Sequence, residues 1–143
     1  MGRYIIMILA GLIASPSAAL AGEVVAKQAW VRLAPPVSDS TAAYMVMEND
    51  GDSDVILTAV ESAAAKHVMM HGMAMKEGRM HMFELEHVRV PAHGTVSFEP
   101  GGMHIMLMGL NEALHTGQTL RFKFRTAAGE SFTVPAVVRD MRH

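Results

Sequence analysis

From Glu23 onward apolar and polar residues alternate with a period of two, and turn-forming residues interrupt the alternation at short intervals. This is the pattern of an antiparallel β protein. Residues 24–33, with Trp30 among them, form the first expected strand; Ala34-Pro35-Pro36 ends it, because proline has no N–H to give to a ladder. A second strand is expected over 41–47. Asn49-Asp50-Gly51-Asp52 then supplies residues that tolerate positive φ, so that 55–60 is expected to fold back as the other arm of a hairpin. Further strands are expected over 67–73 and, after a turn at Lys76-Glu77-Gly78, over its partner 79–85. Residues 88–90 and 94–98 lead into Pro100-Gly101-Gly102, from which 103–108 emerges as a buried strand. Residues 118–126 and 131–138 close the fold as a hairpin around Ala127-Ala128-Gly129-Glu130. Residues 111–115 leave room for one helical turn, and no segment sustains a helical stripe. Short strands at this spacing predict an all-β sandwich or barrel.

The first residues break this pattern. Arg3 precedes an apolar stretch over 5–13, and Ala19-Leu20-Ala21 places small residues where a signal peptidase cuts, so residues 1–21 read as a cleavable signal peptide and 22–143 as one domain. The apolar stretch is far short of the ~20 residues that cross a bilayer, which argues against stable membrane insertion. Loss of Arg3 with the leader leaves 11 Lys and Arg against 14 Asp and Glu, a net charge of −3. That balance carries no basic footprint for nucleic acid. The chain has no cysteine, so its stability rests on packing and any metal site has to do without thiolate.

Composition changes the picture at one point: 14 methionines accompany 8 histidines, and the densest run lies between His67 and Met108. Within it His71 is followed after ten residues by Met82, then after twenty-one by His104, then after one by Met106. At this chain's own His and Met frequencies, one prescribed pattern of this kind arises by chance in about 0.3 per cent of cases. His104 and Met106 stand two apart on an expected strand, which sends both side chains to one face about 7 Å apart. Met80 and Met82 share a face by the same rule, and His71 lies across the turn from them. Thioether sulfur is soft and uncharged and suits Cu(I), whereas Zn²⁺ takes Cys, His or carboxylate. The expected metal ligands are therefore His71, Met82, His104 and Met106, in a shallow and partly exposed cluster. Met73, Met75, Met80 and His81 crowd the same region as candidate secondary ligands, as do Met69 and Met70. Met45, Met47, Met103 and Met108 are read as core, Trp30 and Tyr44 as core aromatics, and His67, His87, His93, His115 and His143 as surface or turn residues.

These residues resemble the periplasmic copper chaperone family known for its PCuAC domains. The likeness covers most of the mature chain: Ala29-Trp30-Val31-Arg32, Pro35-Pro36, the Asn49-Asp52 turn, Val90-Pro91-Ala92, Gly94-Thr95-Val96 and, most specifically, the stretch from Pro100 to Leu110. The family's copper motif of His, ten residues, Met, twenty-one residues, His, one residue, Met falls on His71, Met82, His104 and Met106 without a gap. The resemblance implies a cupredoxin-like, Greek-key antiparallel β-sandwich, Cu(I) bound by two His and two Met, and delivery of copper in the periplasm to extracytoplasmic sites such as those of cytochrome c oxidase; the chain itself is expected to be a monomer. Copper-donating or copper-accepting proteins, thiol-based copper chaperones among them, would be its partners. Two features depart from the family's habit: Gly72 and Met73 follow His71 where an acidic residue is common, and only Met141 and His143 stand in for a His- and Met-rich tail. Other functions fare worse. A blue-copper carrier requires a Cys ligand, and no nucleophile motif, carboxylate pair or phosphate loop supports an enzyme. A Met-rich copper buffer without a dedicated recipient, or a plain structural sandwich, remain as alternatives.

Overall fold

The computed structural model describes residues 20–21 and 23–141; most of the expected signal peptide, the expected mature start at Gly22, and His143 lie outside the described residues. Eleven strands occupy the described chain: β1 (Leu20–Ala21), β2 (Val24–Arg32), β3 (Ser40–Asn49), β4 (Val55–Glu61), β5 (Ala65–Lys76), β6 (Arg79–Leu85), β7 (Val88–Val90), β8 (Thr95–Phe98), β9 (His104–Leu110), β10 (Thr119–Thr126) and β11 (Ser131–Arg139). They join in the order β6-β5-β9-β3-β2-β11-β10-β4-β7, with β8 alongside β9 on the same edge of β3 and β1 on β2. The sheet folds over on itself, so that its inward faces meet. Asn49 at the end of β3 donates through Nδ2 to the carbonyl of Val90 on β7, which ties the middle of the strand order to its far end.

Period-two burial explains why these segments are strands. β10 and β11 each alternate exposed and buried residues without a break, and Leu120, Phe122, Phe124, Phe132, Val134, Ala136 and Val138 point inward. Met45 and Met47 on β3 and Ile105 and Leu107 on β9 complete the core from the other layer. A side chain such as Leu or Phe contributes about 1.5–3 kcal/mol when fully buried, so this alternation dominates the choice of register.

Three features differ from the sequence expectation. The pairing of β2 with β11 is parallel, the one parallel pairing among the described residues of an otherwise antiparallel sheet. β4 does not return along β3 as a hairpin but pairs with β10 and β7, because Asn49 is buried and turns the chain across the layers: its Nδ2 also donates to Ser53 O, and its Oδ1 accepts the N–H of Gly51. Residues 111–115 form no helical turn. The backbone N–H and side chain of Asn111 instead bond to Ala64 O and Ala63 O and bind this loop to the start of β5.

Candidate copper site

The site is built on the outer face of β6, β5, β9 and β3, above the core. On β5, Met70 points inward, and Gly72 faces Phe83 and Leu85 so closely that a Cβ would stand 2.8 Å from the Phe83 ring. Their neighbours Met69, His71, Met73 and Met75 therefore face outward. On β9, Ile105 and Leu107 are core and His104, Met106 and Met108 face outward. Register then decides which side chains meet. His71 stands opposite His104 and Met69 opposite Met106 across β5–β9, and Met73 stands opposite Met82 across β5–β6.

The four expected ligands thus share one face and come from three strands. Met82, His104 and Met106 line a single cleft of about 300 Å³ together with Met73, Tyr44 and Arg32. His71 adjoins it through an edge-on ring contact with His104 at 5.6 Å between centroids. The imidazole of His104 is 7 % exposed and its Nδ1 donates to Gly102 O at 3.0 Å, since a carbonyl can only accept. That bond fixes the tautomer and leaves the Nε2 lone pair for a metal. His71 has a different environment. Its Nδ1 is buried and has no hydrogen-bond partner among the described residues. A buried polar atom left unpaired costs about 1–3 kcal/mol, which an ion bonded to the ring nitrogen would offset. Burial, and then the neighbouring His104, hold the His71 ring below the ordinary imidazole pKa, against Glu84, which faces it across β5–β6. The ring is therefore neutral near pH 7, the form that can ligate.

Not every candidate is brought together. Met70 is 2 % exposed in the core and cannot reach the face. His81 stands opposite Ala74, on the reverse side of the hairpin from Met80 and Met82, and is not part of the cluster. Met75 and Met80 stand opposite one another one rung beyond Met73 and Met82. Met45, Met47 and Met103 pack in or against the core, but Met108 lies on the outer face opposite His67. Trp30 is half-buried and outside the inner core, whereas Tyr44 is buried as expected but on the outer side of β3. Gln28, at φ 54, sits where the β2–β3 register shifts, and this bulge reverses the parity of β2, so that Ala29 and Val31 point inward and Trp30 outward. Trp30 packs on Tyr44 at 4.7 Å, and Arg32 lies over the Tyr44 ring, which walls the cleft on its β3 side. Strict alternation through residues 24–33 hides this wall; the period breaks at Lys27-Gln28, where two polar residues adjoin, and that was the available signal. His87, His93 and His115 are exposed, and His93 pairs with Asp52 at 2.8 Å.

The fold is a β-sandwich that presents imidazoles and thioethers, the donors a soft metal ion takes, together on one outer face. The family model described as "Putative lipoprotein LpqE-like" matches residues 24–138, and the chain belongs to this family, the PCuAC family. It is 36 % identical over 114 residues to "Putative lipoprotein Lxx21020" of Leifsonia xyli subsp. xyli, covering 79 % of this chain and 68 % of that protein. Among solved structures it resembles the copper-bound PCuAC domain from PmoF2, with a TM-score of 0.71 at 20 % identity over 87 % of this chain and 99 % of that one. It is also similar to the Cu(I)-bound form of DR1885 from Deinococcus radiodurans, with a TM-score of 0.63 at 30 % identity over 94 % of this chain and 85 % of that one.

Proposed function

We propose that the protein is an exported Cu(I) metallochaperone that holds one ion with His71, Met82, His104 and Met106 and hands it to another extracytoplasmic copper protein. The observation that carries this reading is the convergence of the His104 imidazole and the thioethers of Met82 and Met106 on one cleft, with the His71 ring in contact beside it and its buried Nδ1 without a partner among the described residues. The ligands are neutral, and soft sulfur selects Cu(I) over harder divalent ions. Met82 is 49 % exposed, so an incoming thiolate or thioether of a recipient can replace it without opening the fold. Capture with easy exchange is what a carrier requires and what a redox enzyme avoids.

The names of its relatives as lipoproteins accord with export, and among the described residues no helix is long and apolar enough to cross a membrane. Copper sites of cytochrome c oxidase are the proposed destination. A copper buffer is the second reading, favoured by the exposed thioethers of Met75 and Met80. Transfer distinguishes the two. The Cu(I)-loaded chain, mixed under anaerobic conditions with the metal-free soluble copper domain of an oxidase subunit, is expected to lose copper to it. Copper that stays on the chain would refute delivery to that recipient and leave the buffer reading.

A further inference from the structure

From Met73 onward β5 has β6 alone as a neighbour, because its register with β9 ends at the pair His71 and His104. Beyond Met73 and Met82, which line the cleft, the end of the β5–β6 hairpin is therefore a two-stranded ribbon with both faces open to water. Apolar side chains that reach no core add little to such a ribbon beyond their cross-strand contact. Yet Met75 and Met80 stand directly opposite one another, 69 % and 51 % exposed, on the face that carries the candidate site. Methionine ordinarily fills gaps in cores, and neither residue has a core to fill.

We propose that Met75 and Met80 form a second, weaker Cu(I) site that takes up the ion and passes it inward, an inference that rests on the copper-binding reading above. Directly opposed residues on paired strands have Cβ atoms about 4.5–5.5 Å apart, so two thioethers can bracket one ion. The next rung, Met73 and Met82, lies about 7 Å along the strands and shares the face. Flexible, unbranched thioether chains span that interval, and Met82 belongs to both groups. Copper advances by exchanging one sulfur for another and remains Cu(I) throughout; no electron or proton moves. The ion ends on His104 and Met106, where imidazole nitrogen replaces sulfur and holds it more firmly.

The test uses the full chain carrying ¹³C-methyl methionine and Cu(I) supplied from bicinchoninate under anaerobic conditions. The first equivalent is expected to shift the Met82 and Met106 methyl signals, and the second those of Met75 and Met80. In the double variant Met75→Leu/Met80→Leu, which keeps the exposed apolar area and removes only sulfur, the second equivalent is lost and the first is retained but arrives several-fold more slowly. A wild-type chain that takes no second equivalent, or whose second equivalent moves other methyls, overturns the hairpin site and leaves the proposed function standing. Should the first equivalent leave Met82 and Met106 unmoved, the primary site fails, and the Met75 and Met80 signals still decide the hairpin site on their own. Equal uptake and equal rate in the double variant and the wild type would also overturn it, and would assign the exposed methionines to contact rather than to copper.

Discussion

At the scale of single residues, the fold gives chemically similar side chains unlike tasks. Met45 and Met106 are both methionines on adjacent strands, but Met45 is 1 % exposed in the core and Met106 opens onto the cleft. Met45→Ala is expected to cost about 2–5 kcal/mol of stability and leave the copper affinity of the folded protein nearly intact. Met106→Ala or His104→Ala should do the reverse, with a large loss of Cu(I) affinity in chelator competition. Equal affinity losses in all three would contradict the assignment. Protons give a second handle. Because His71 titrates below its ordinary value of 6.5 in the fold, the unfolded chain takes up its proton first as the pH drops. Its contribution to metal-free stability is thus complete above that ordinary value, declines as pH falls below it, and levels off beneath the folded value. Denaturation midpoints measured from about pH 7 to about pH 5 should fall more for the wild type than for His71→Gln. The spacing of His71, Met82, His104 and Met106 was readable in the chain, since strand parity alone puts the last two on one face. Parity also sorted wrongly where a bulge intervened, as at Trp30; it put His81 and Met82 on opposite faces of β6, but could not tell which of the two turns toward the cluster until the β5–β6 register was known.

At the scale of elements, strands were the most legible feature, because burial on one face imprints a period of two that turn residues then punctuate. The β5–β6 hairpin follows from Lys76-Glu77-Gly78-Arg79: Glu77 and Gly78 both adopt positive φ, at 55° and 77°, the geometry of a two-residue turn whose twist matches its strands. This turn positions Met82 against Met73. Gly78→Val forces a β-branched residue into that region at a cost of about 1–2 kcal/mol and should weaken Cu(I) binding as β6 loosens. Gly129, at φ 83 in the β10–β11 turn, provides the control. Gly129→Val should cost similar stability and leave copper affinity unchanged, as judged by denaturation and chelator competition on both variants. The helical turn for which residues 111–115 left room does not form, because Asn111 finds backbone carbonyls at Ala63 and Ala64, a tertiary partnership invisible in a local window.

At the scale of the whole molecule, pairing partners were the least legible part. Asn49-Asp50-Gly51-Asp52 has the composition of a hairpin turn, and nothing local states that Asn49 will be buried and bonded to Val90, forty-one residues away. The parallel contact of β2 with β11, between the two ends of the domain, is equally non-local. Asn49→Ala should therefore destabilise the sandwich by about 1–3 kcal/mol, because the Val90 carbonyl loses its donor, while the folded fraction binds copper as before. Calorimetry on the metal-free and loaded forms checks both halves. What this architecture achieves is the gathering of the four proposed ligands on one outer face, with β5 at its centre and β6 and β9 on either side. X-ray absorption at the copper edge of the chain loaded with a single equivalent of Cu(I) addresses that arrangement most directly. Imidazole nitrogen and thioether sulfur together in the first coordination shell, with the nitrogen contribution halved in His104→Ala, is the expected result; a shell of sulfur alone, or of nitrogen and oxygen alone, would contradict it.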